Sequence, residues 1–101
     1  MYKKIKPAEA KALMDTGKAI VVDVREPEEM SEGYIDGSII VPLSNFEVEA
    51  DEKLKDKDAM YLLYCRSGRR SAIAAKMLLD KGYSNVLDFG GIIDWPFETV
   101  M

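Results

Sequence analysis

Cys65 is the only cysteine in the chain, and three of the four arginines crowd beside it in Cys65-Arg66-Ser67-Gly68-Arg69-Arg70. A lone cysteine at the end of an apolar run is by default a small buried hydrophobe. Three features of this loop predict a nucleophile instead. Ser67 and Gly68 allow a tight turn whose backbone N–H groups converge on one point, an anion-binding nest. A helix is predicted to start just after the loop, and a helix N-terminus favours negative charge. Arg66, Arg69 and Arg70 add positive potential, and the planar guanidinium fork suits oxyanions. Each effect stabilises the thiolate, which is the reactive form. Cys65 is therefore the candidate catalytic residue, with Arg66, Ser67, Gly68, Arg69 and Arg70 as its anion-binding loop.

There is no histidine anywhere in the sequence. That excludes Ser-His-Asp and Cys-His catalysis, histidine general bases and most zinc sites. No metal site and no cofactor are expected, and a single cysteine can form no internal disulfide. Sulfur transfer needs none of these. A thiolate attacks the outer sulfur of a donor such as thiosulfate, sulfite leaves as an anion, and the sulfur stays as a persulfide on Cys65. The loop amides can hold its terminal sulfur until a second nucleophile, cyanide or a thiol, removes it. This is double displacement through a covalent intermediate, helped by electrostatic stabilisation of anions.

The elements that must position this loop alternate. Short apolar, β-branched runs at 19–24 and 59–64 read as strands buried on both faces. Weaker strand signals lie at 2–5, 38–41 and 86–89. Helices are expected over 7–15, where Pro7 suits the first position and Gly17 the stop, and over about 70–81, with Ile73, Met77 and Leu78 at helical spacing and Gly82 beyond. A further helix is expected across about 45–51, with Ser44 as N-cap and Glu47 three residues on. Pro27 opens a brief helical turn, Gly90-Gly91 turns the chain into a last short helix over 92–95, and 51–58 is a charged surface segment. This rhythm predicts an α/β domain with a mostly parallel sheet, in which ligands bind at the carboxyl ends of strands. Both Cys65 and Arg25, the fourth arginine, stand at such ends. Arg25 is expected to pair with Asp23 or a nearby Glu, because buried charges are normally paired.

The composition, 48% hydrophobic and 32% charged over 101 residues, fits one globular domain spanning 1–101. The net charge of −4 argues against nucleic acid or an anionic membrane as partner. No apolar run approaches a membrane span, no signal peptide is evident, and the expected location is the cytoplasm. The expected partners are a small anionic sulfur donor and a thiol or cyanide acceptor.

Three segments together resemble the rhodanese homology domain over nearly the whole chain. The first is Val21-Val22-Asp23-Val24-Arg25-Glu26-Pro27-Glu28-Glu29, followed by Glu32-Gly33 and Gly37-Ser38-Ile39-Ile40-Val41-Pro42-Leu43. The second is Leu63-Tyr64-Cys65-Arg66-Ser67-Gly68-Arg69-Arg70-Ser71-Ala72, similar to the family's active-site loop and following helix. The third is Gly90-Gly91-Ile92-Ile93-Asp94-Trp95. The resemblance implies a three-layer fold with a parallel five-stranded sheet and helices on both faces. It implies a persulfide-forming Cys65 whose sulfur is cradled by amides of residues 66–70, with Asp23 and Arg25 holding the scaffold nearby. By composition Trp95 reads as core.

Two departures bear on substrate choice. Tyr34-Ile35-Asp36-Gly37 replaces the frequent His-Ile-Pro-Gly and is expected to alter a pocket wall, and Arg69 stands where a smaller polar residue is common. Three rival functions remain open: a cysteine phosphatase, a non-catalytic binding module and a carrier passing persulfide sulfur to a partner protein. Phosphatases that resemble this arrangement use Cys-x5-Arg; here Arg70 gives Cys-x4-Arg and position 71 is Ser71. Retention of Cys65 in a basic loop argues against an inert module. The carrier uses the same loop as the enzyme.

Overall fold

A computed structural model describes residues 2–101. The apolar runs form five strands: β1 Lys3–Lys4, β2 Ala19–Asp23, β3 Ile39–Ile40, β4 Met60–Cys65 and β5 Asn85–Gly91. They lie in the order β1-β5-β4-β2-β3. Every pairing is parallel. β2 and β4 occupy the interior of this order, which is why their sequences are continuous apolar runs rather than alternating ones. The helices α1 Pro7–Asp15, α2 Phe46–Lys53 and α3 Arg69–Asp80 cover the sheet on both faces, as the expected three-layer α/β fold requires.

Alternation along the strands divides the core. Val22, Val24, Leu63 and Cys65 face the side covered by α2 and α3, where Phe46, Ala50, Ala74, Ala75 and Leu78 are buried against them. Val21, Leu62, Tyr64 and Phe89 face the other side, with Ala10 of α1, Ile35 and Trp95. The Trp95 ring meets Phe89 at a tilt, centroids 5.2 Å apart, and is buried, so it is core as its composition suggested.

Four local expectations are corrected. Ser44 does not cap α2; it lies in a 3-10 turn, Leu43–Asn45, and donates its hydroxyl to Glu26 Oε1 at 2.7 Å. Ile73 is 45% exposed, because α3 turns Ser71, Ala74, Ala75 and Leu78 inward instead. α3 starts at Arg69, one residue before the expected start, leaving only 66–68 between strand and helix. Gly90-Gly91 does not turn the chain out of the sheet: β5 runs through Gly91 to a 3-10 turn at Ile92–Asp94.

Asp23 and Arg25 form a buried pair, with Arg25 Nη2 2.8 Å from Asp23 Oδ2 and Nε 3.1 Å from Oδ1. Both are essentially inaccessible. Burial alone would lower the Arg25 guanidinium; its bonds to Asp23 and the Asp23 charge outweigh that and hold it above its ordinary range. The guanidinium also donates to Gly33 O at 2.9 Å and to Glu29 O at 3.4 Å. It lies over the Tyr64 ring, on the face of the sheet opposite Cys65. Its role is to anchor the 3-10 segment Pro27–Glu32, which follows β2.

Removing one partner of a buried pair leaves an uncompensated charge. Arg25→Ala is therefore expected to cost about 3–5 kcal/mol of folding stability in urea titrations. A loss below about 1 kcal/mol would show that the pair does not hold this segment.

Candidate active site

β4 delivers Cys65 to the carboxyl edge of the sheet, and the chain reverses within residues 66–68 to enter α3. The reversal depends on Gly68, which takes φ +101° and ψ −11° at the N-cap of α3, a left-handed conformation that an L side chain strains to adopt. This conformation aims the Gly68 N–H at Cys65 Sγ at 3.0 Å. The Ser71 N–H reaches the same sulfur at 3.4 Å. The N-cap amide and a first-turn amide of α3 thus converge on the sulfur, where a helix N-terminus stabilises negative charge. Cys65 is 1% exposed, so the sulfur lies at the floor of a nearly closed cradle.

β5 supports the loop from beneath. Between Leu63↔Asp88 and Cys65↔Gly91 the register shifts, two steps on β4 matching three on β5. This is a bulge, and Gly90 at its apex takes φ +92°. Asp88 Oδ1 accepts the Gly90 N–H at 2.9 Å and stabilises the bend. Gly91 then passes so close to the loop that a Cβ there would collide with the Arg66 carbonyl oxygen and Ser67 Cα. The same Arg66 carbonyl accepts the Ile93 N–H at 3.2 Å.

The arginines of the loop differ in state. Arg70 makes a two-pronged pair with Glu29, Nη1–Oε1 at 2.6 Å and Nη2–Oε2 at 2.9 Å. That bond, above all, holds Glu29 down to about 2 and raises Arg70. Arg66 and Arg69 are exposed and have no ion-pair partner among the described residues. Arg66 borders a depression of about 310 Å³ that Arg25, Glu32, Ile93, Trp95 and Phe97 also line. A wider cleft of about 920 Å³ lies between α1 and the C-terminal segment and includes Ile35 and Asp36 but none of residues 65–70. Tyr34 is tied by two backbone bonds of 2.8 Å to Val100. The altered segment 34–37 therefore adjoins this second cleft and not the sulfur cradle. No group of carboxylate or thiol side chains that could hold a metal occurs among the described residues.

A family model described as "Rhodanese-like domain" matches residues 6–96. The chain belongs to this family. It is 39% identical over 84 residues to a sulfurtransferase of Allochromatium vinosum, covering 82% of this chain and 77% of that protein. It is 38% identical to the thiosulfate sulfurtransferase GlpE of Pseudomonas entomophila, covering 97% of this chain and 92% of that one. Among solved structures, a rhodanese-related protein from Thermoplasma volcanium superposes with a TM-score of 0.78 at 35% identity, covering 98% of each chain.

Within this rhodanese-like domain the structure brings Cys65 and Gly68 together, turns the Arg70 side chain to Glu29, and leaves Arg25, paired with Asp23, bordering the depression beside Arg66. Three residues beside the site escaped the sequence reading. Ser71 places its N–H and its hydroxyl toward Sγ, the hydroxyl at 3.7 Å. Asp88, 2% exposed, accepts the Ser71 hydroxyl hydrogen at 2.8 Å. Glu29 holds Arg70. A signal existed for Asp88: an acid on the inward register of an apolar strand must have a built partner. Glu29 had no such signal, because it reaches Arg70 from a segment 41 residues away.

Glu29 is depressed from an ordinary 4.5 to about 2, so its pairing with Arg70 stabilises the folded state fully above pH 4.5 and is lost as pH falls toward 2. Acid titrations of wild type and Glu29→Gln should therefore show a stability gap at neutral pH that closes across this window. A gap independent of pH would contradict the ion pair.

Proposed function

We propose that this domain moves sulfane sulfur from thiosulfate or a similar anionic donor to a thiophilic acceptor, with Cys65 as the nucleophile. The observation that carries this reading is the convergence of the Gly68 and Ser71 amides on Cys65 Sγ at the N-terminus of α3. The Cys65 thiolate attacks the outer sulfur of the donor. The sulfur–sulfur bond to sulfite breaks and its electron pair leaves with sulfite. Arg66 and Arg69, unpaired at the rim, receive the incoming dianion and release the outgoing one. Cyanide or a thiolate then attacks the terminal sulfur, and Cys65 departs as thiolate. Neither step needs a proton donor, which accords with a chain that has no histidine. No cofactor enters the cycle. The near-closed cradle suits a donor that presents a single terminal atom to the sulfur.

Delivery of the same persulfide sulfur to a partner protein differs only in the acceptor. The narrow, amide-lined cradle does not favour phosphate, whose three equatorial oxygens need a wider loop.

Wild type treated with thiosulfate should gain the mass of one sulfur, and cyanide should then release thiocyanate and restore the original mass. Cys65→Ser should do neither. Arg66→Ala and Arg69→Ala should each raise the KM for thiosulfate about two- to fivefold, as expected for exposed charges, with saturating donor still loading Cys65. A wild type that gains no sulfur would overturn thiosulfate transfer. Cys65-dependent hydrolysis of an aryl phosphate would favour the phosphatase instead.

A further inference from the structure

Behind Cys65 stands a hydrogen-bonded chain that the transfer cycle does not use. Ser71 Oγ lies 3.7 Å from Cys65 Sγ, 2.8 Å from Asp88 Oδ1, 3.1 Å from Gly68 O and 3.5 Å from Gly90 O. A hydroxyl has one hydrogen to donate. The shortest of these contacts is to a carboxylate, and a charged acceptor binds a hydroxyl hydrogen roughly twice as strongly as a neutral one. The hydrogen of Ser71 therefore belongs to Asp88, and the side of Ser71 that meets the sulfur is a lone pair. It can accept a hydrogen from the Cys65 thiol but offers none to the thiolate.

We propose that Asp88 is a positioning residue for Cys65: by holding the Ser71 hydroxyl as an acceptor, and by placing its own charge behind the sulfur, it disfavours negative charge on Sγ and favours it on the outer sulfur of a Cys65 persulfide. The inference rests on the persulfide reading above. In the free thiolate the charge sits on Sγ, beside the Ser71 lone pair and nearer Asp88. In the persulfide the charge sits one sulfur–sulfur bond, about 2 Å, further out toward Arg66 and Arg69. At an effective dielectric of about 20, that displacement corresponds to a several-fold bias toward the loaded protein. The loop amides and arginines attract negative charge in both states. Asp88 separates the two states by repelling one of them more.

The other charges around the pair are few. Arg66, Arg69 and Arg70 lie on the loop and α3, with Glu29 bound to Arg70. Lys4 stands opposite Asp88 in the β1–β5 register. On this face β2 presents Val22 and Val24, and β4 presents Leu63.

The test uses the full chain, in which Cys65 is the sole thiol. The pH profile of Cys65 alkylation by iodoacetamide reports its thiolate. Asp88→Asn keeps an oxygen to accept from Ser71 and Gly90 but removes the charge, and should move the profile to lower pH. Ser71→Ala removes the acceptor and should move it in the same direction. A second readout is the fraction loaded at a fixed ratio of thiosulfate to sulfite, by intact mass. The loading equilibrium should fall about three- to tenfold in Asp88→Asn. A residue that only supports the fold would lower the unfolding midpoint and leave both readouts in place. Should Asp88→Asn fail to fold, Ser71→Ala decides by sign: a profile moved to higher pH would make Ser71 a donor to the thiolate and overturn the proposal. An unmoved or upward profile in a folded Asp88→Asn would do the same. If wild type takes no sulfur from thiosulfate, the transfer reading fails on its own, and the alkylation profiles still judge Asp88.

Discussion

The site rests on one close approach. The backbone of β5 at Gly90-Gly91 runs directly beneath the loop after β4, at a distance that leaves no room for a side chain at Gly91. This contact fixes the Arg66 and Ser67 peptides, and Gly68 then makes its left-handed turn with its N–H on the sulfur. The bulge in β5 that produces the approach is held by Asp88, whose carboxylate also takes the hydroxyl of Ser71 from α3. One buried acid thus ties the strand, the helix and the cysteine together. Gly91 packs here because it is small, while Gly68 and Gly90 supply a backbone conformation that other residues strain to adopt.

Charge is distributed with equal economy. The protein carries a net charge of −4, yet Arg66 and Arg69, just after Cys65, are exposed and have no ion-pair partner among the described residues. Arg70, in the first turn of α3, is largely neutralised by Glu29 and serves to fix that turn. Glu29 is in turn placed by the segment that Arg25 anchors from the far face of the sheet, through Glu29 O and Gly33 O. Asp23 and Arg25 therefore bear on the cradle across two layers of structure, through Glu29 and Arg70, and touch nothing at the sulfur. The sequence of effects runs from a buried pair to a short helical turn, to an ion pair, to the orientation of the helix that donates to Sγ.

Much of this is legible in the sequence. The continuous apolar runs at 19–24 and 59–64 form β2 and β4, both inside the sheet, because residues buried on both faces have no reason to alternate. Pro7 and Gly82 marked helix ends correctly. Cys65 and Gly68 stand in one short loop, as their spacing predicts, with the Gly68 N–H on the sulfur. What stayed hidden was long-range. Ser44 looked like a cap until Glu26, 18 residues earlier, took its hydroxyl. Ile73 fitted the helical stripe, but the close packing of Ala74 and Ala75 on the sheet turned it outward. Gly90-Gly91 read as a turn because a bulge depends on the register of a neighbouring strand, which local sequence does not encode. Asp88 and Ser71 meet only after β5 and α3 have packed.

The central claim is that backbone amides of the loop and first turn, Gly68 and Ser71, hold the sulfur chemistry of Cys65. The most direct measurement is the amide proton shift of these two residues in ¹⁵N-labelled protein as thiosulfate is added and then cyanide. Both resonances should move in step with sulfur loading, return on discharge by cyanide, and stay unchanged in Cys65→Ser. Loading of Cys65 that leaves the Gly68 and Ser71 amides unmoved would contradict the account.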